Sequence, residues 1–151
     1  RSKQLNYIQR KLININYHIY GSPKYLEKYG YPKTIKDLDK HKFISFGRGA
    51  PSPVYNPDWA LKLGMKDNKK RKTVMKVNSV YGLLLAVQSG VGLASLPDYL
   101  TLKQPNIVKV LPKIEGPITE AHFVYPESLK NEARLKAFRN FLYSKISEWE
   151  F

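Results

Sequence analysis

The stretch from Thr73 to Pro97 constrains the fold of this chain more than any other. Val80, Leu83, Leu84 and Val87 fall at i, i+3, i+4 and i+7, the spacing that puts four apolar side chains on one face of a helix. Ser79 stands where an N-cap belongs and Gly90 where a helix leaves in a left-handed conformation. Gly92 then lets the backbone turn tightly into Leu93–Leu96, a short buried-type strand that Pro97 ends. With Thr73–Val77 as the strand in front, the stretch is one β-α-β unit.

The rest of the chain repeats that alternation. Leu12–Tyr20 has period two, with Ile13, Ile15, Tyr17 and Ile19 on one face and Asn14, Asn16 and His18 on the other, as in a strand. Ser22 caps a short helix that has Pro23 at its first position, runs through Tyr25 and Leu26, and stops at Gly30. Thr34-Ile35-Lys36-Asp37 is a capping box with Asp in place of Glu, opening one turn through Leu38. Phe43–Phe46 reads as a strand and Gly47–Pro57 as a Gly/Pro-rich loop. Trp59–Leu63 and Thr73–Val77 read as two strands separated by the polar turn Lys66–Lys72. Ile107–Leu111 and Ile118–Tyr125 are further strands. Ser128–Ile146 closes the chain as an amphipathic helix striped by Leu135, Phe138, Leu142 and Ile146, which Trp149 and Phe151 would extend. The expected class is α/β, a Rossmann-like lobe with a mixed, mainly parallel sheet.

Composition narrows the function. In 151 residues the chain is 42% hydrophobic and 13% aromatic, enough apolar material for a packed core. Its 26 Lys and Arg against 12 Asp and Glu give a net charge of +14, which favours any acidic partner without choosing among them. The lysines are scattered rather than gathered in one stripe, and the chain is rich in residues with A/T-rich codons. Coding bias therefore explains the charge better than a nucleic-acid footprint does. Without cysteine there are no disulfides or thiolate metal sites. The longest apolar run, Val80–Val87, is too short to cross a bilayer. Arg1–Arg10 shows no apolar core with a cleavage site.

Several blocks together resemble one family. Gly21-Ser22-Pro23-Lys24-Tyr25-Leu26 through Gly30-Tyr31-Pro32, then Asp37-Leu38 to His41 and Ile44, is similar to a signature of the effector domains of LysR-type transcriptional regulators. So is Asn78-Ser79-Val80 through Gln88-Ser89-Gly90-Val91-Gly92-Leu93 to Pro97. Arg10-Lys11-Leu12 resembles the element before that family's first crossing strand. Val124-Tyr125-Pro126, with Ala137–Leu142, resembles its closing segment. The blocks follow the family's order and span nearly the whole chain.

The resemblance implies a type-2 periplasmic-binding-protein-like fold, two α/β lobes with an effector between them. Residues 1–20 would be a remnant of lobe I with a crossover strand, 21–120 lobe II, and 121–151 the return strand and C-terminal helix of lobe I. The family's winged helix-turn-helix and the opening elements of lobe I would be missing from this chain, leaving the final helix an exposed apolar stripe that invites self-association. The resemblance further implies a cytoplasmic regulator that is homodimeric or homotetrameric when full-length, touching DNA only through the missing domain, with no membrane and no cofactor. Lys66–Lys72 would be a surface hairpin, solvated like most charged turns.

In open α/β sheets ligands bind at the carboxyl ends of strands, where helix N-termini offer free N–H groups. The first such place is Asn78-Ser79-Val80, where a carboxylate effector could accept from backbone amides and the Ser79 hydroxyl. Capping alone explains Ser79 equally well. The second is Phe46-Gly47-Arg48, with Arg48 able to pair bidentately with a carboxylate and Gly47 allowing close approach. Arg48 is also an ordinary solvated loop cation. Pro97 would stand on the cleft rim, with a structural role the simpler account.

Catalysis has no support. His18, His41 and His122 stand isolated from any metal-ligand spacing or nucleophile motif, and His41 suits capping or packing. The expected function is therefore small-molecule sensing for transcriptional control, not enzyme activity. The alternative is a solute-binding protein of a transport system with the same fold, which calls for a secretion signal or lipid-anchor cysteine upstream.

Overall fold

The computed structural model describes residues 6–47, 56, 58–67 and 69–148. The chain divides into two compact units, one formed by Arg1–Ile15 with Glu120–Phe151 and the other by Asn16–Thr119.

β1 (Tyr7–Gly21) contributes its last residues, from Asn16, to the larger unit, where residues 17–21 are buried on both faces: Ile19 enters one hydrophobic cluster and Tyr20 the other. β4 (Ala94–Pro97) runs antiparallel to β1 on one side, with Tyr17 opposite Pro97 and Tyr20 opposite Ala94. β5 (Val108–Val110) runs antiparallel to it on the other, with Ile19 opposite Val110. β2 (Phe43–Phe46) and β3 (Thr73–Val77) form a parallel pair, and a bridge from Phe43 to Leu93 joins β2 in parallel to the start of β4. β6 (Ile118–Pro126) also pairs with β1.

This corrects the expected mainly parallel sheet: the larger sheet is mostly antiparallel, and the parallel part is the small β2–β3 pair. The reason is β1. It runs against β4 and β5 along the centre of the sheet, and residue periodicity carries no information about strand direction.

Two hydrophobic clusters pack the opposite faces. Ile44, Leu83, Leu84, Val87 and Leu96 lie under α3 (Val80–Gln88), with Phe46 and Val77 at its margin. Phe43, Leu26, Leu38, Trp59 and Leu93 lie on the other face with α1 (Pro23–Tyr29). The local signals that set these elements hold in detail. Ser22 Oγ accepts from Tyr25 N, and Gly30 ends α1 at φ 90°. Thr34 N–H donates to Asp37 Oδ2 at 2.8 Å and Asp37 N–H to Thr34 Oγ1 at 3.3 Å. The hydrogen bonds from Thr34 hold the Asp37 carboxyl below its usual range. Gly92 is required by close packing: a Cβ there would stand 2.6 Å from Lys42 O, in the chain entering β2.

One element differs in kind. The expected strand at Trp59–Leu63 is instead a helical turn, α2 (Trp59–Lys62), so no hairpin links it to β3. Trp59, Ala60 and Leu61 are all buried, whereas a half-buried strand would hide alternate residues. The turn is held by a residue ten positions on. Arg71 Nη1 donates to Ala60 O at 3.1 Å and Leu63 O at 2.8 Å, and Nη2 to Ile35 O at 3.3 Å. Its Nε donates to Asp39 Oδ1 at 2.9 Å. Arg71 is thus a buried clamp on the open carbonyl end of α2, not a solvated member of the basic turn. An unexpected turn, α4 (Asp98–Thr101), follows β4 directly.

In the smaller unit, Glu127 N–H donates to Asn6 O at 2.9 Å and Lys11 pairs with Glu120. The closing helix α5 (Ala133–Ser147) rests on β6 through Phe138 and Phe123, whose rings lie 5.9 Å apart. Tyr143 Oη donates to Lys11 O at 3.1 Å. None of its described residues is buried: Leu135, Leu142 and Ile146 are half-buried, while Phe138 and Phe141 are exposed. Trp149 and Phe151 lie outside the described residues.

Candidate functional site at the carboxyl ends of the parallel strands

β2 and β3 end side by side. Phe46 stands opposite Val77, and Gly47 N–H donates to Val77 O at 2.9 Å, continuing the ladder one step past the strands. Four of the expected site residues, Phe46, Gly47, Asn78 and Ser79, are thereby brought together on one sheet edge, with Val80 opening α3 beside them. Ser79 Oγ accepts from Gly82 N at 3.3 Å. The N–H groups of Val80 and Tyr81 belong to the helix's first turn, where no helical carbonyl can take them. This end carries the positive pole of α3 and no acidic residue in its first turn, a setting that favours an anion.

The other expected residues divide. Pro97 ends β4, which the Phe43–Leu93 bridge aligns with β2, so it belongs to the same set of strand ends; it is fully buried. Arg48 lies outside the described residues. Gly47 has no steric obligation to be glycine: a Cβ would stand 3.6 Å from Asn78 N and Val77 C, ordinary contact distance.

The buried charged residue that periodicity overlooks is Asp98, next to Pro97 and only 4% exposed. Its Oδ1 lies 2.9 Å from His18 Nδ1 and accepts from Tyr20 Oη at 2.9 Å, while Oδ2 accepts from Lys109 Nζ at 3.0 Å. Burial, reinforced by the hydrogen bond to Asp98, pushes the Tyr20 phenol far above its usual range. His18 is therefore not isolated; it is buried against Asp98 of α4. The one available signal was an acid embedded in the apolar run Leu96-Pro97-Asp98-Tyr99-Leu100, since a buried carboxylate needs partners. His122 Nε2 lies 3.5 Å from Glu120 Oε2. His41 packs 5.7 Å from Tyr25 and caps the turn before β2 through its N–H to Leu38 O. Among the described residues there is no cluster of three or more His, Asp or Glu able to hold a metal.

The larger unit is thus mixed α/β, with the ends of two parallel strands meeting the N-terminus of a helix. Residues 3–146 match the LysR substrate binding domain, and the chain belongs to that family, which is non-enzymatic. It is 28% identical over 123 residues to an uncharacterized HTH-type transcriptional regulator of Haemophilus influenzae, covering 79% of this chain and 41% of that protein. In fold it is similar to the regulatory domain of CrgA, a LysR-type transcriptional regulator from Neisseria meningitidis. There the TM-score is 0.75 at 21% identity, over 97% of this chain and 72% of that one. It is also similar to a C227S variant of the AphB regulatory domain from Vibrio vulnificus, with TM-score 0.66 and 16% identity over 95% and 73% of the two chains.

Proposed function

We propose that this chain serves as the effector-sensing part of a LysR-type transcriptional regulator, with residues 21–120 as lobe II of a type-2 periplasmic-binding-protein-like fold and the flanking segments as parts of lobe I. The observation that carries this reading is the family match across 3–146. The effector is a small carboxylate, received at Asn78-Ser79-Val80 and Phe46-Gly47-Arg48, with Pro97 as a buried support at the neighbouring strand end. Its support is the convergence of two strand ends on the open N-terminus of α3, with Gly47 tied to Val77. The parent protein assembles as a homodimer or homotetramer, and an effector that prefers one arrangement of the lobes shifts the assembly on DNA.

Reading the parent gene upstream, then footprinting the parent protein on its own promoter with and without candidate carboxylates, tests the proposal. A helix-turn-helix and a footprint that changes with one carboxylate are expected. A secretion signal upstream would overturn it in favour of solute transport.

A further inference from the structure

A cavity lies on the other face of the β2–β3 pair. The two strands carry a register shift between Phe43 and Ile44, where Thr73 opposes Phe43 but Met75 opposes Ile44. In a regular strand Thr73 and Lys76 would point to opposite faces, being three residues apart. The shift removes that offset and turns both to the face that carries Phe43 and Ser45. Ile44 and Val77 face the α3 cluster instead, and Phe46, at the margin of that cluster, also reaches the wall of the cavity.

The cavity, on the Ser45 face, is about 400 Å³, within the range of small-molecule sites. Ser45, 7% exposed, and Phe46 line it from β2, Thr73 and Lys76 from β3, Leu61 from α2, and Lys72 from the turn before β3; the acidic Asp58 lines it as well, beside Lys70 and Arg71. Its charges do not balance. Lys70 is paired with Asp58 at 3.1 Å and Arg71 is committed to Asp39 and three carbonyls. Lys72 and Lys76 have no carboxylate partner among the described residues. Two lysines without a carboxylate partner, a serine and a threonine therefore line one concave space.

We infer that this cavity is a second ligand site, separate from the α3 terminus, that takes a small phosphate-bearing molecule. A phosphate monoester carries close to two negative charges at neutral pH and three acceptor oxygens. That matches two ammonium donors and two hydroxyls, where a monocarboxylate would leave one cation unneutralised. Concave walls strengthen the attraction relative to the open surface.

The test is calorimetric titration of the 151-residue chain with inorganic phosphate and with glycerol phosphate, against sodium chloride at equal ionic strength. Saturable binding of both phosphates is expected, with Lys72→Ala and Lys76→Ala each weakening it about tenfold, the scale of one lost charge-assisted contact. Both side chains are exposed, so the variants retain the fold. Lys66→Ala, which removes the same charge from outside the cavity, should leave binding unchanged. Absence of saturable binding, or equal weakening by all three substitutions, overturns the inference. So does binding that survives Lys72→Ala/Lys76→Ala and is lost in Ser79→Asp, which would assign it to the α3 terminus. None of these outcomes depends on the parent protein's DNA binding.

Discussion

His18 Nδ1 and Asp98 Oδ1 lie 2.9 Å apart with their side chains only 10% and 6% exposed. The pair ties the central strand β1 to the turn after β4, and Lys109 adds β5 through the other carboxylate oxygen. Removing Asp98 leaves the His18 and Tyr20 donors buried without an acceptor. Asp98→Ala should lower unfolding stability by about 3 kcal/mol, and Asp98→Asn by less, because the amide oxygen still accepts. Urea denaturation of the three chains would show the order, and equal midpoints would remove the pair from any structural role.

Ser79 separates capping from ligand binding. Ser79→Ala should cost about 1 kcal/mol through the lost bond to Gly82 N–H. Ser79→Asp keeps a capping oxygen but sets a negative charge at the proposed carboxylate site. We expect near-parental stability with carboxylate binding abolished. If Ser79→Asp binds the carboxylate as the parent does, the effector does not sit at this helix end.

Arg71 should resist conservative replacement. A lysine cannot reproduce the planar fork that reaches Ala60, Leu63, Ile35 and Asp39. Arg71→Met, which leaves Asp39 and three carbonyls without their donor, should destabilise by about 3 kcal/mol, and Arg71→Lys, which keeps the charge but not the fork, by less. Thermal unfolding would register this, and an unchanged midpoint in Arg71→Lys would make the basic turn the solvated segment its sequence suggests.

His41 gives the larger unit a pH dependence. Its Nδ1 is buried with no partner among the described residues, and burial holds its pKa below the ordinary histidine value, against the opposing pull of Asp37. The unfolded chain therefore binds a proton that the folded chain refuses. Stability is undiminished above about pH 6.5, the unfolded histidine value, and falls as pH drops from there towards the folded pKa. His41→Phe should flatten that slope between pH 7.5 and 5.5 in denaturation midpoints, and an unaltered slope would assign it to other groups.

Local chemistry was legible residue by residue. Ser22, Pro23 and Gly30 bound one helix, Thr34 and Asp37 one turn, and Ser79 and Gly90 another helix, because a cap satisfies N–H groups only a few residues away. The strand ends at Phe46 and Val77 were likewise visible from their flanks. What the tertiary structure decided involves partners far apart in the chain. The direction of β1 against β4, the helical state of Trp59–Lys62 under Arg71, and the burial of Asp98 between His18, Tyr20 and Lys109 all depend on long-range contacts. So does the register shift that brings Thr73 and Lys76 to one face. The Thr73–Pro97 stretch shows both sides. Its own residues determine a strand, a capped helix and a second strand. Only packing determined that β4 joins β3 through β2, because Gly92 must clear Lys42 O for the two segments to meet.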